Sequence, residues 1–312
     1  MTLPHCPICN TLNVSVLYER LFDDRYGCPD IADVLRCGGC GHHFLTPLRA
    51  DDQLGDLYRK YYGRCGQSVA KLGSRRRSRF LRETLPGSRI LGPGNGRSLL
   101  DVGCGPGEFL LKAQQEGFRA VGIDVDPEAI NAARRLGLQA FVGSIFEWEQ
   151  ADKCFDVITL NQVIEHVENP VKTLNVLRNS LKSGGVIFIA TPNGNSALRQ
   201  RVGQQWLHWH VPYHQHIFTF DSLRIAAQSA GLRVLTNTTR TPLTWLRLQQ
   251  QHVREPLVRG NARWPWRGQP TVQRLKGSDV ADQIVSIAHS GLSSIHDLRG
   301  SGDCIMATFH RA

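Results

Sequence analysis

The stretch that most restricts the fold is Leu99-Leu-Asp101-Val-Gly103-Cys104-Gly105-Pro-Gly107-Glu108, an apolar run ending in a glycine-rich turn that opens into helical periodicity. A strand, a tight turn and a helix in that order begin a doubly wound α/β sheet, whose ligands bind outside the carboxyl ends of the strands. The sequence after it repeats the alternation. Strands are predicted over Ser98–Val102, Ala120–Asp124, Ala140–Gly143, Asp156–Leu160, Val186–Ala190, Leu232–Asn237 and Cys304–His310. Helices are predicted over Glu108–Glu116, Pro127–Leu136, Pro170–Leu181 and Ser222–Ala230. Seven strands result, the last read as antiparallel.

The glycine spacing narrows the ligand. A dinucleotide site wants Gly-x-Gly-x-x-Gly so that a helix N-terminus meets the pyrophosphate. Here Glu108 takes the place of the third glycine, and Asp101 stands at the strand end. Two carboxylates beside the turn repel pyrophosphate and attract a cationic amino group, such as that of a methionine moiety. Asp124, at the end of the second strand, is placed to accept hydrogen bonds from both hydroxyls of a ribose.

Two Cys-x-x-Cys pairs, Cys6/Cys9 and Cys37/Cys40, lie at the front of the chain. A two-residue spacer lets both sulfurs of a pair reach one ion at about 2.3 Å, and two pairs complete a closed tetrahedral site. Such a site is structural zinc; reduced structural cysteines or a redox pair are the alternative. Gly38, Gly39 and Gly41 suit a turn that aims N–H groups at sulfur, and the intervening segment is long enough for a hairpin. The chain has nine cysteines and no apolar signal-peptide core, so disulfides are not expected and a cytoplasmic location is. No apolar run reaches the roughly 20 residues of a membrane span.

Three parts follow: a zinc-binding module over 1–48, a helical linker or cofactor lid over 49–95, and a main domain over 96–312. Within the linker, Leu54, Leu57, Tyr58, Tyr61 and Tyr62 recur at helical spacing, and a second helix is expected over Arg75–Leu85. An insertion at about 241–300, with Trp245, Trp264 and Trp266, shows no clean periodicity and is expected to cover an acceptor. The formal charge is +10, partly from Arg75, Arg76, Arg77, Arg79 and Arg82, and suits an anionic partner without specifying one.

The segments Leu-Asp101-Val-Gly-Cys-Gly-Pro-Gly107, Gly-Ile-Asp124 and Phe-Asp156-Val-Ile-Thr-Leu-Asn-Gln-Val-Ile-Glu165-His166-Val-Glu-Asn-Pro resemble successive motifs of class I S-adenosylmethionine-dependent methyltransferases. The nearest groups are the ubiquinone-type O-methyltransferases and bacterial sugar, polysaccharide or natural-product methyltransferases, several of which carry the same two-knuckle front end. The resemblance covers about residues 97–237, and the knuckles extend it. Trp206, Pro212, His214, Phe218, Leu223 and Ala230-Gly231 match polysaccharide-associated relatives. It implies a Rossmann-like sheet with a zinc-ribbon-like module.

The resemblance also implies a cofactor site. Gly103, Gly105 and Gly107 would line the methionine end, Asp124 would bind the ribose, Ser144 and Ile145 would flank the adenine, and Asn161 and Gln162 would face the sulfonium; Asp101, Cys104 and Val125 complete the cofactor-binding set. Tyr62 is a candidate for the cofactor carboxylate. Many relatives have an acid where Ser144 stands. For the base that an acceptor hydroxyl or carbon requires, His166 comes first, because imidazole titrates near neutral pH. Glu165 could orient it or act itself, and His214 is the alternative base. His208, His210, His214 and His216 share parity, so an extended strand would set them on one face, as a second metal site or an acceptor pocket; Pro212 interrupts that strand.

The function expected is methyl transfer to a small-molecule or glycan acceptor, with a sugar or hydroxylated metabolite the leading candidate and a nucleotide- or lipid-linked acceptor compatible with the charge. An RNA methyltransferase is one alternative, but the basic cluster lacks interleaved aromatics and no RNA-binding motif is present. A non-catalytic cofactor-binding protein is the other. The oligomeric state is not legible.

Overall fold

The computed structural model describes residues 3–61, 88–147, 155–254, 258–261 and 294–312. The helix expected over Arg75–Leu85, the arginine cluster around it, Tyr62, and most of the 241–300 insertion, with Trp264 and Trp266, lie outside the described residues. The chain divides into two compact units, each discontinuous in sequence. One is drawn from Met1–Gly63, Pro192–Ser222 and Thr238–Ile305; the other from Arg64–Thr191, Leu223–Asn237 and Met306–Ala312.

The second unit is built on a seven-stranded mixed sheet. Its strands are β4 (Ser98–Val102), β5 (Arg119–Asp124), β6 (Gln139–Val142), β7 (Phe155–Asn161), β8 (Leu181–Pro192), β10 (Leu232–Arg240) and β11 (Cys304–Arg311), in the order β10-β11-β8-β7-β4-β5-β6. The chain starts at β4 in the interior, winds out through β5 and β6, and returns to β7 on the other flank. All four pairings among β4, β5, β6, β7 and β8 are parallel. Leu99, Leu100, Val157, Ile158, Leu160 and Ile187 to Ala190 are each 0% exposed, as expected of strands covered on both faces. Asp156 joins three strands: its Oδ2 accepts from the Ser98 amide (2.8 Å), the Ser98 hydroxyl (2.7 Å) and Lys182 Nζ (2.9 Å).

The helices between these strands carry local start signals. In α3 (Pro127–Arg135), the Asp126 side chain accepts from the Glu128 amide and Pro127 follows it; in α4 (Pro170–Asn179), Asn169 accepts from Lys172 and Pro170 follows. Each cap is worth about 1 kcal/mol, and proline at the first helical position wastes no amide. By contrast, α2 (Glu108–Gln115) has no side-chain cap and begins from Gly107 in the left-handed region. Its first turn is open to something other than a capping side chain.

The first unit contains a four-stranded sheet of β1 (Val14–Phe22), β2 (Ile31–Cys37), β3 (His43–Thr46) and β9 (His216–Ile217), in the order β1-β2-β3-β9. The expected hairpin between the knuckles is β1–β2, paired antiparallel. The addition of β9 through His43↔Ile217 and Phe44↔His216 was not expected. It satisfies the edge of β3, which would otherwise present free amides and carbonyls, and it ties residues beyond 48 into the same unit. Trp206 and Trp209 then pack on Val34, Leu45 and Ile217 as the unit's apolar core. Also in this unit are α1 (Asp51–Tyr61), α5 (Ala197–Val202) and α7 (Leu243–Arg254), the last two separated in sequence by α6 (Phe220–Ser229). No helix among the described residues is long and apolar enough to cross a membrane.

The histidine segment is not an extended strand. His208 sits in a 3-10 turn over Leu207–Trp209, His210 has φ 40°, and only His216 is in a strand. The equal parity of the four therefore does not place them on one face. A reversal through His210 and a further turn over Val211 to Tyr213 break the alternation.

Candidate functional site

The turn after β4 is shaped by three glycines in the left-handed region: Gly103 (φ 68°), Gly105 (φ 52°) and Gly107 (φ 90°). Two are fixed by close packing. A Cβ on Gly103 would lie 2.5 Å from Val163, and one on Gly107 would lie 2.4 Å from Leu138. Gly105 differs: a Cβ there meets nothing within 4 Å. The turn thus leaves open space above Gly105. It is held by Asp124, whose Oδ2 accepts the Gly105 amide at 2.8 Å while Oδ1 accepts the Asp126 amide at 2.9 Å. Burial raises the Asp124 pKa.

Asp101 is 2% exposed and points into the protein, where Thr159 Oγ1 donates to its Oδ1 at 2.6 Å. The register pairs Asp101 with Thr159 on β7. Burial pushes the carboxyl up to about 7, with Thr159 and then Asn161 drawing it back. Glu108, at the first turn of α2, is also pushed up by burial. Cys104 is a buried thiol raised by burial, then by Asp101 and Asp124. Sequence reasoning missed Thr159, although a hydroxyl in an otherwise apolar central strand was the available signal.

Beyond Asp124, Val125 is 60% exposed, and Ile145 is buried on the loop after β6. The Ser144 amide donates to Glu147 Oε2 at 3.0 Å. At the end of β7, Asn161 lies opposite Ala190, and the Gln162 amide donates to the Ala190 carbonyl at 2.8 Å. Gln162 has φ 57°, an uncommon conformation for a non-glycine residue and one that clusters at ligand sites. The ends of β4 and β7 are neighbours where the strand order reverses, the place at which open α/β sheets bind ligands.

Glu165 and His166 follow in the turn after β7. Glu165 is 0% exposed; Thr191 Oγ1 donates to its Oε2 at 3.0 Å, and its Oε1 has no hydrogen-bond partner among the described residues. Burial pushes its carboxyl up to about 8. The His166 amide donates to the Val163 carbonyl at 2.9 Å. His214 belongs to the other unit, where its Nδ1 lies 2.7 Å from the His208 carbonyl oxygen. In that unit Asp303 Oδ1 accepts from Ser196 Oγ (2.6 Å) and Trp206 Nε1 (2.9 Å), and its Oδ2 is 3.3 Å from His208 Nε2. His216 Nδ1 turns to His42 Nε2 at 3.1 Å. Tyr62 is not among the described residues.

The four cysteines of the knuckles converge. Cys6 and Cys40 sulfurs are 3.6 Å apart, those of Cys9 and Cys37 3.5 Å, and all four lie within 4.8 Å of one another. Amides of Ile8, Gly39 and Cys40 point at sulfur, at 3.5, 3.3 and 3.4 Å. The Cys6 thiol is pulled down to about 5 by its hydrogen bond with Cys40, whose own thiol is correspondingly pushed up.

A methyltransferase-domain family profile matches residues 72–237. The ubiquinone biosynthesis O-methyltransferase of Aeromonas salmonicida is 29% identical over 152 residues, which span 45% of this chain and 64% of that one. Its counterpart from Aliivibrio fischeri is 32% identical over 152 residues, spanning 46% and 63%. The chain therefore covers somewhat under two thirds of the length of these relatives. A solved S-adenosylmethionine-dependent methyltransferase from Mesorhizobium loti aligns over 74% of this chain and 96% of its own, at 16% identity and a TM-score of 0.47. The match to more than half of the chain, together with the sheet order and the motifs at its strand ends, makes this protein a member of the methyltransferase-domain family.

Proposed function

We propose that the protein is an S-adenosylmethionine-dependent methyltransferase acting on a small or glycan-type acceptor, a sugar or hydroxylated metabolite, with a structural zinc ion at its four-cysteine cluster. One observation carries this reading: the open space over Gly105, beside a carboxylate that already grips the turn. Asp124 takes the Gly105 amide on one oxygen and the Asp126 amide on the other, and a carboxylate has about four lone-pair sites, which leaves capacity for a ribose hydroxyl. Gly103, Gly105 and Gly107 hold the methionine end, and Asp101 and Glu108 supply carboxyl groups that favour an ammonium. Val125 and Ile145 give adenine apolar surface, while Ser144 offers a hydroxyl in place of an acid. Asn161 and Gln162 face the sulfonium. The residues present fit the cofactor.

S-adenosylmethionine, when bound, supplies an electrophilic methyl group on sulfur. Holding the acceptor in line with it accounts for roughly 7–11 kcal/mol of a barrier of this kind. The chain must also remove the acceptor proton, and His166 has the appropriate chemistry. Glu165, kept largely protonated at neutral pH, is suited to holding the turn through Thr191 and not to acting as a base.

The cysteine geometry fits zinc. Four sulfurs at about 2.3 Å from an ion in a tetrahedron stand roughly 3.8 Å from one another, near the 3.5 and 3.6 Å measured within the two cross-pairs. With four protein ligands no position is left for substrate, so the role is structural.

The test is transfer of a labelled methyl group from S-adenosylmethionine to a panel of acceptors, sugar nucleotides first. His166→Ala should slow turnover by about 10²–10⁴-fold. A nearly full rate would remove His166 as the base. Tight cofactor binding with transfer to no acceptor would favour a non-catalytic cofactor-binding protein.

A further inference from the structure

The four-stranded sheet of the first unit carries an arrangement that neither the zinc site nor methyl transfer uses. On one of its faces Ser15, Arg36, His43 and Ile217 form a row across the four strands through direct pairings. Directly paired residues in an antiparallel sheet project to the same side. Trp209 covers this face, with Tyr18 (5.5 Å between ring centroids) and His43 (5.9 Å) against its ring. Arg199, from α5, lays its guanidinium 5.8 Å from the centre of the same ring.

Arg199 thus meets the Trp209 ring directly, and Arg36 is the cross-strand neighbour of His43, which meets the same ring. Neither Arg36 nor Arg199 has an ion-pair partner among the described residues, and Arg199 Nε is buried without a hydrogen bond. Arg36 and Cys37 are consecutive in a strand, so their side chains point to opposite faces; Arg36 is not turned toward the cysteine cluster. His43 is buried and held neutral, its pKa pushed down to about 3 by burial and then by Arg199 and Arg36. It contributes no negative charge. Burial and the nearby Arg36 also lower the Arg199 pKa, opposed by Tyr18. Leaving two like charges together, one partly desolvated, costs free energy that an anion between them returns.

We propose that Arg36 and Arg199, with the Tyr18 hydroxyl, form a binding site for a phosphate or pyrophosphate group on this face of the sheet. Guanidinium is the side chain best matched to such a group, because it presents planar, paired N–H donors. Arg36 is exposed and provides access, whereas Arg199, fixed against Trp209, provides direction. The proposal does not depend on methyl transfer by this protein.

The experiment is calorimetric titration of the full-length, zinc-loaded protein with inorganic pyrophosphate at low ionic strength. Arg36→Gln and Arg199→Gln should each weaken binding at least about tenfold, a loss in keeping with a charge-assisted hydrogen bond. Arg135→Gln, at an exposed position of α3, should bind as the parent does. Arg36 is exposed, so its variant should keep the fold and its zinc content, and a loss there cannot be attributed to unfolding. Absence of pyrophosphate binding by the parent, or equal binding by both variants, would overturn the site. A second arm uses phosphatidylcholine vesicles with and without phosphatidic acid. Arg36-dependent sedimentation with the acidic vesicles, alongside pyrophosphate binding, identifies a lipid headgroup as the phosphate source. Pyrophosphate binding without sedimentation identifies a soluble phosphate ester.

Discussion

The backbone amide of Gly105 donates to a carboxylate oxygen of Asp124 across 2.8 Å, fastening the glycine turn after β4 to the end of β5. Under the proposed function the same carboxylate also binds the cofactor ribose, so its loss would remove a ligand contact and loosen the turn that frames the ligand. A hydrogen bond to a charged group contributes about 1.5–3 kcal/mol. Asp124→Ala is expected to weaken S-adenosylmethionine binding by at least about tenfold while circular dichroism shows a folded protein. Unchanged affinity in calorimetry would remove Asp124 from the ribose.

Gly105 and Gly107 share a left-handed backbone but differ in surroundings, and alanine should separate their roles. At either position alanine carries a conformational cost of roughly 1–2 kcal/mol. At Gly107 it also drives a methyl group to 2.4 Å from Leu138, and overpacking adds about 1–3 kcal/mol. Gly107→Ala should therefore lower the melting temperature distinctly more than Gly105→Ala. Gly105→Ala should mainly weaken cofactor binding, since its methyl enters the open space. Equal cofactor affinity in Gly105→Ala and the parent would mean that this space is not the binding site.

Glu165 should make stability depend on pH. Its carboxyl is pushed to about 8 in the folded protein, against about 4.3 in an unfolded chain. The folded state keeps a proton that the unfolded state releases. The stabilisation is complete below about pH 4.3 and disappears as pH rises through about 8. Glu165→Gln cannot ionise, so its stability relative to the parent should grow between pH 5 and 9, by an amount on the order of a few kcal/mol. Asp101, pushed to about 7, adds a slope of the same sign to both proteins and cancels in the comparison. Denaturant unfolding at several pH values checks this; a constant difference would show that Glu165 is ionised throughout.

The four-cysteine cluster should hold one zinc ion per chain. Cys37→Ser removes a thiolate ligand from the cluster, so it should lose zinc and melt several degrees lower. Chelation of the parent should have the same effect. Metal analysis finding no zinc in a folded protein would contradict the assignment.

The doubly wound sheet was legible because its strands are covered on both faces. Runs such as Leu99-Leu100 and Ile187 to Ala190 are continuously apolar, and Asp126-Pro127 and Asn169-Pro170 mark helix starts with capping chemistry. The other unit was less legible. Its β9 consists of two residues whose partners, His43 and Phe44, lie some 170 positions earlier, and no local pattern announces such a pairing. The shared parity of the histidines in the 206–216 segment would put them on one face only of an extended strand, and the course of the segment is instead set by Trp206 and Trp209 packing on the sheet. In α7, buried positions include Gln249 and His252, which satisfy the Leu207 amide and pair with Asp24, so no apolar stripe betrayed the helix. At the candidate site, the glycines and Asp124 were evident as motif residues. Burial of Asp101 against Thr159 depends on the β4–β7 register, which the sequence does not state.

The most direct measurement is calorimetric titration of the purified, zinc-analysed protein with S-adenosylmethionine and, separately, with NAD. The account predicts micromolar binding of S-adenosylmethionine and no response to NAD. A folded, zinc-loaded protein that does not bind S-adenosylmethionine would contradict it.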